Sequence, residues 1–480
     1  MTIIGRQKEQ ELLQEALNSE KAEFIAIYGR KRVGKAFLIR QFFRDKGIYF
    51  EVAGCRGMTK ATQLQNFTTV FSDTFNEGQR LETPKNWYDA FNLLRYKLEE
   101  FSSSKNIILF FNELPWLASR KSGFMEALDL FWNQYFSQMP HLKLFMSGSA
   151  GTWMLEKLIN NTDGLYKRLS RPAIHLQTLS LEETRLYLLS KGVSMDRQQV
   201  LDLYMALGGI PEYLNLVCPG RSSAQIISDL FFSPSSSLRS EFYSLYDSLF
   251  GRPKKHLEIV ELLSSHPQGL TQKELFAKSK NIRAGGGGVD ILEELESSSF
   301  ILKIPLFGKK KRDARYRLID ALSLFYLNWV RGLGDYSLSH WLKVRGSEKY
   351  KNWAAYAFEN ICLLHYDQIV KNLDLSIVAQ GRACWRYLPA NGDGTKQEDV
   401  DLVIDRSDAC INLCNIQYHD DEFELNHSSE KDLRKKKLLF KDMTGTKKAV
   451  FLTLISSYGV RRSDLYHNVI DSQLTPDALF

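Results

Sequence analysis

Cysteine is scarce in this chain. Six residues, Cys55, Cys218, Cys362, Cys384, Cys410 and Cys414, are spread over 480 positions. No C-x-x-C pair occurs, and Cys410 and Cys414 have no nearby His/Cys pair to complete a zinc set. That excludes a disulfide scaffold and leaves reduced, buried thiols as the expectation. Long apolar runs are also missing: none approaches the ~18 residues of a membrane span, and MTIIGRQKEQ at the start has no signal-peptide pattern. A cytoplasmic protein with no membrane partner is expected. No large excess of one charge exists either. Sixty-three Lys and Arg face 56 Asp and Glu, a net charge of +7, which permits nucleic-acid contact without demanding it. What is present is an ordinary globular composition, 44% hydrophobic and 25% charged. At ~150 residues per domain, this length implies about three domains.

The strongest local signal is a glycine-rich loop. Residues 24–28, Phe-Ile-Ala-Ile-Tyr, read as a buried parallel strand. Gly29-Arg30-Lys31-Arg32-Val33-Gly34-Lys35-Ala36 follows, and Phe37 opens a stretch with helical spacing. The loop matches G-x-x-x-x-G-K-[ST] up to its last position, where Ala36 lacks the hydroxyl that ligates Mg²⁺. Gly29 and Gly34 allow backbone N–H groups to turn around phosphate oxygens, the next helix adds its positive end, and Lys35 reaches for the β/γ-phosphates. ATP with Mg²⁺ is the expected ligand, with Mg²⁺ weakly held.

A second buried strand at 106–111 ends in Asn112-Glu113. This is the Walker B arrangement, with an amide where the Mg²⁺-holding acid belongs and the water-polarising acid, Glu113, intact. A third strand at 142–146 ends in Ser147-Gly148-Ser149, the place for a γ-phosphate sensor, and an ordinary loop is the alternative. Arg168 is a candidate arginine finger, in cis or across a subunit interface, with a surface arginine as the alternative.

Ile3-Ile4-Gly5-Arg6, the Tyr-Gly-Arg-Lys-Arg-Val-Gly-Lys loop, Phe-Phe-Asn-Glu-Leu-Pro-Trp-Leu at 110–117 and Gly208-Gly209-Ile210-Pro211 together resemble the archaeal-type ATPases of bacteria and archaea, in the AAA+/STAND superfamily. The resemblance implies an α/β P-loop NTPase core with a parallel sheet over 1–178 and a helical lid over 179–250. It also implies that Gly5, Arg6 and Pro211 lie near the adenine and ribose. Ala36 and Asn112 depart from the family's Thr and Asp, and both fall on groups that hold Mg²⁺.

Residues 251–330 read as a winged helix-turn-helix. Helices are expected at 255–263, from Thr271 with Glu274 as its capping-box partner, and at 289–295. Ala284 to Gly288 reads as a flexible turn, and strands at 300–304 and 314–318 flank a basic tip, Gly308-Lys309-Lys310-Lys311-Arg312. The tip suits DNA phosphates. The third helix, Val-Asp-Ile-Leu-Glu-Glu-Leu-Glu, repels them, so a protein-protein or interdomain role is the alternative.

From 331 to 480 the pattern is α/β. A helix with Glu359, a strand with Asp401 and a strand at 411–418 resemble the restriction-endonuclease-like PD-(D/E)xK fold often fused to archaeal-type ATPases. The resemblance makes Asp401 a metal-binding and catalytic acid. It also puts Asn415 and Gln417 at the Glu and Lys positions, so a nuclease is expected to be inactive. Glu359, Asp399 and Lys437 are candidate substitutes, and Arg434 with Lys437 shares a helix face suited to a phosphate backbone or to solvent. The resulting expectation is an ATP-binding switch with weak or lost hydrolysis, with DNA, a protein partner or a second copy as possible partners. The alternatives are an active ATPase gating a DNA nuclease, and a scaffold that binds neither ligand.

Overall fold

The computed structural model describes residues 2–480 except 102–104, 120, 150, 155–166, 234–235, 251–252, 284, 311–312, 334–337, 390–396, 462–465 and 467. Expectations at Ala284, Lys311 and Arg312 therefore lie outside the described residues. The chain divides into two units, Met1–Thr178 and Leu179–Phe480.

The first unit runs α1 (Gln7–Asn18), β1 (Glu23–Tyr28), α2 (Lys35–Phe43), β2 (Ile48–Ala53), α3 (Lys60–Phe75), α4 (Trp87–Glu99), β3 (Ile107–Asn112), α5 (Leu114–Leu117), α6 (Phe124–Gln134), β4 (Leu142–Gly148), α7 (Gly151–Met154) and β5 (Ile174–His175). Its sheet has the order β2-β3-β4-β1-β5, and all neighbours are parallel. Every residue of β3 and β4 is buried, which explains their unbroken apolar runs: helices cover both faces of a parallel sheet. Aromatics fill the core. Phe91 meets Phe111 and Phe124 edge-on at 5.6 and 5.5 Å, and each fully buried ring is worth about 1.5–3 kcal/mol. Parallel strands end at one common edge. There the glycine loop leaves β1, Asn112-Glu113 leaves β3 and Ser147–Ser149 leaves β4.

The second unit begins with α8 (Leu181–Ser190), α9 (Arg197–Leu207), α10 (Pro211–Leu214), α11 (Ser223–Phe232) and α12 (Glu241–Phe250). Then come α13 (Lys254–Ser264), β6 (Leu270–Thr271), α14 (Gln272–Lys278), α15 (Gly286–Ser297), β7 (Ile301–Pro305) and β8 (Ala314–Leu318), with an antiparallel sheet ordered β6-β8-β7. Thr271 caps α14, and its capping box with Glu274 is formed in full. The glycine run departs from expectation: Gly286, Gly287 and Gly288 belong to α15 and not to a flexible turn. Glycine is needed for steric reasons at Gly288, where a Cβ would stand 2.8 Å from the Phe276 ring and 2.9 Å from the Arg283 carbonyl. Only glycine lets the first turn of α15 approach α14 so closely.

The remainder runs α16 (Ala321–Phe325), α17 (Leu338–Val344), α18 (Glu348–Leu364), α19 (Tyr366–Asn372), β9 (Ala379–Tyr387), β10 (Glu398–Arg406), β11 (Cys410–Gln417), β12 (Phe423–Glu424), α20 (His427–Thr444), β13 (Ala449–Ser456), β14 (Val460–Arg461) and β15 (Ser472–Leu474). Its main sheet is ordered β15-β13-β11-β10-β9. β10 pairs antiparallel with β9 and β11, whereas β13 pairs parallel with β11 and β15. Among the described residues, no helix is long and apolar enough to cross a membrane.

Candidate functional site

The glycine loop owes its shape to two positions. Gly29 has φ 147°, and a Cβ there would stand 2.3 Å from the Leu176 carbonyl oxygen, so any side chain is excluded. Gly34 has φ 94° and open space around it, so its requirement is conformational. Between them, Arg30 and Val33 are buried, Lys31 and Arg32 half-buried, and Arg32 takes a positive φ of 74°. Lys35 begins α2, with Ala36 half-buried beside it and Phe37 exposed.

The Lys35 ammonium is folded back into the loop. It donates to the carbonyls of Gly29 and Arg30, both at 3.1 Å, and to Ser149 Oγ at 2.9 Å. Ser149 Oγ in turn donates to Glu113 Oε1 at 2.5 Å. Burial, first, and the nearby Lys31 push the Lys35 ammonium down to about 8, with the Glu113 carboxylate opposing them. Glu113 itself has φ 53°, a left-handed turn that swings its side chain off the end of β3 toward Ser149. Lys35, Ser149 and Glu113 thus converge from three strand ends on one point.

Asn112 is held differently. Its Oδ1 accepts from Ser147 Oγ at 2.6 Å, and its Nδ2 donates to Glu51 Oε1 at 3.2 Å. Glu51 lies in β2 and takes a two-pronged hydrogen bond from Arg40 of α2, at 2.6 and 2.7 Å, and a third from the Tyr49 hydroxyl at 2.9 Å. That carboxylate raises the Arg40 guanidinium. Burial, first, and then Glu51 raise the Tyr49 phenol. The residues here do not fit a protein-held Mg²⁺. Ala36 has no hydroxyl, the Asn112 carbonyl is occupied by Ser147, and the adjacent carboxylate of Glu51 is neutralised by Arg40.

Arg6 is buried, with φ 60°, and its Nη2 donates to the Val33 carbonyl of the loop at 3.3 Å. Gly5 beside it accepts from Gln10 at 2.7 Å. Arg168, the expected arginine finger, lies 3.5 Å from Asp129 of α6, an ion pair that both side chains make while partly exposed. Gly209 and Pro211 belong to the second unit. Pro211 opens α10, and a Cβ on Gly209 would stand 1.9 Å from the Leu179 carbonyl.

Within the second unit the sequence-expected acids are gathered by arginines. Arg317 of β8 is buried. Its Nη1 donates to Asp401 Oδ1 and its Nη2 to Glu359 Oε2, each at 2.7 Å. Burial, first, and the Asp401 charge push the Glu359 carboxyl up to about 7, against the pull of Arg317. Two residues back on the same strand face, Arg315 reaches Asp399 at 2.9 Å, and Arg386 reaches Asp399 at 3.2 Å. The β10–β11 register pairs Leu402 with Cys414, which sets Asn415 across from Asp401. The Asn415 Nδ2 is buried with no hydrogen-bond partner among the described residues. Gln417 meets His419 at 3.2 Å, Lys437 meets Asp471 at 3.4 Å, and Arg434 meets Glu430 at 2.9 Å. Of the proposed substitutes, only Glu359 joins Asp401. Among the described residues, no three His, Cys, Asp or Glu side chains are grouped to hold a metal ion. Lys309 and Lys310 are exposed at the β7–β8 hairpin.

Sequence reasoning missed Glu51, Arg40, Arg315 and Arg317 as site residues. A polar residue inside a buried strand was the available signal for Glu51 and for both β8 arginines, because an unpaired charge there is too costly to persist.

No family model matches the chain. An uncharacterized protein of Methanocaldococcus jannaschii is 23% identical over 330 residues, which is 68% of this chain and 69% of the relative. An uncharacterized ATP-binding protein of the same organism is 44% identical over 46 residues, which is 10% of this chain and 78% of the relative. A solved Walker-type ATPase of Pyrococcus abyssi aligns with a TM-score of 0.49 at 17% identity, covering 68% of this chain and 96% of that one. The ORC2 protein of Aeropyrum pernix, solved as ADPNP–ADP complexes, aligns with a TM-score of 0.45 at 14% identity, covering 68% and 93%.

Proposed function

From the premise that the chain belongs to the archaeal-type family of ATP-binding P-loop proteins, we propose that it binds ATP, hydrolyses it slowly or not at all, and works as a nucleotide-dependent switch. One observation carries this reading. Lys35 rests on two loop carbonyls and Ser149, all groups that a phosphate oxygen outcompetes for an ammonium. The loop amides and Lys35 suffice to hold a triphosphate. What turnover needs in addition is weak: Ala36 and Asn112 supply no charged or hydroxyl ligand to Mg²⁺, although Glu113 still orients water.

The rest of the reading follows the order of elements. Residues 1–178 are the ATPase core and 179–250 a helical lid. Three helices with the β6-β8-β7 sheet support a winged helix over 251–330. The β15-β13-β11-β10-β9 sheet with α18 and α20 supports an inactive restriction-endonuclease-like domain over 331–480. Lys309 and Lys310 suit contact with DNA phosphates, while Asp290 and Glu293, exposed on α15, disfavour groove entry by that helix. A protein partner or second copy remains compatible with both, in a cytoplasmic setting.

The test is a calorimetric ATP titration with and without Mg²⁺, paired with phosphate-release assays on the natural chain and an Ala36→Thr/Asn112→Asp variant. Binding is expected in both metal conditions, with faster release from the variant. Equal hydrolysis by both proteins overturns the proposal.

A further inference from the structure

We propose that Arg317 is a resident cation that closes the Asp401–Glu359 pair to divalent metal. This inference concerns the second unit and stands or falls independently of ATP binding. Three elements meet at the guanidinium: Arg317 comes from β8, Asp401 from β10 and Glu359 from α18. One planar fork bonds both carboxylates at 2.7 Å, a geometry that a point-charge ammonium does not reproduce. The guanidinium also stands 4.8 Å over the Tyr356 ring. The Tyr356 hydroxyl and Asn360 Nδ2 then both donate to the Leu318 carbonyl, at 3.0 and 2.8 Å, which clamps the end of β8 to α18.

Asp401 is aimed there by the backbone. The β10–β9 pairing is interrupted between Val400 and Val403, and Asp401 shares its face of β10 with Asp399, so that the two acids meet Arg317 and Arg315 of β8. Two carboxylates brought together from separate elements repel one another and need a cation between them. A divalent ion is one solution. This chain supplies its own, from the hairpin strand of the preceding module, and a hard cation that must first expel a buried, doubly hydrogen-bonded guanidinium gains little. The pair is closed for as long as β8 stays docked.

The experiment is titration of the full, nucleotide-free chain with Mn²⁺, reading free Mn²⁺ by electron paramagnetic resonance. The natural chain is expected to show no saturable site that Asp401→Asn removes. Arg317→Met is expected to gain one Mn²⁺ site, at least tenfold tighter than any binding by the natural chain and abolished by adding Asp401→Asn. An Arg317→Met protein that melts cooperatively and gains no such site overturns the proposal. If that variant does not fold, the natural chain decides. A Mn²⁺ site lost on Asp401→Asn or Glu359→Gln overturns it. Absence of such a site, together with collapse of Arg317→Met, supports a cation that the two acids require.

Discussion

Lys35 and Ser149 lie 114 positions apart in the chain, yet the lysine ammonium donates a 2.9 Å hydrogen bond to the serine hydroxyl. Lys35, the lysine proposed to hold phosphate, is therefore already engaged, and on that proposal an incoming nucleotide must take it over.

That engagement predicts a pH dependence. With the ammonium depressed to about 8, mainly by burial, Lys35 is charged at pH 7 and largely neutral at pH 9. A bound triphosphate restores the charge, so binding takes up a proton above pH 8. ATP affinity is expected to fall about tenfold between pH 7 and 9, and the fall should vanish in Lys35→Met. For folding the sign is the reverse. The unfolded lysine keeps its proton up to its ordinary 10.5, so stability contributed by this group rises from pH 8 to 10.5. Fluorescent-nucleotide titrations across the pH range measure the first effect, and a flat profile for the natural chain refutes it.

Asn112 is expected to resist simple restoration. Asn112→Asp replaces the amide that donates to Glu51 with a second carboxylate at about the same place. A hydrogen bond is lost and like charges face each other in a part-buried site, at a cost of about 1–3 kcal/mol. Adding Glu51→Gln should recover most of it. Urea unfolding midpoints of the single and double variants test this, and an unimpaired single variant contradicts the Asn112–Glu51 contact.

His365 should make the second unit acid-sensitive. Its Nε2 accepts the Leu181 N–H at 3.0 Å, and its Nδ1 donates to the Ile361 carbonyl at 2.8 Å, so the neutral ring is fully used. Burial pushes it down to about 4 from an ordinary 6.5. Because the unfolded chain binds the proton more readily, stability falls as pH drops from 6.5 to 4. The full loss is about 3 kcal/mol, discounted for whatever relaxation admits water. His365→Gln should show a shallower decline of melting temperature over that window, and parallel curves would rule the role out.

The local parts of this architecture were readable from sequence. Strand, loop and helix around residues 24–43, the buried strands read at 106–111 and 142–146, which the structure places at Ile107–Asn112 and Leu142–Gly148, and the Thr271–Glu274 capping box all rest on neighbours in the chain. What escaped depends on distance. Glu51 matters because of Asn112, 61 residues away, and Arg317 because of Asp401, 84 residues away. No periodicity announces such partners. The glycine run at 285–288 misled for a related reason. Its composition signals a turn, but three of its glycines begin α15, and Gly288 there packs against the Phe276 ring.

The contact between Arg6 and Val33 has a practical reach. Arg6 bonds to the backbone of the glycine loop from a segment outside it, 27 residues away in the chain. Arg6→Ala is therefore expected to loosen the loop without touching any residue of the loop itself.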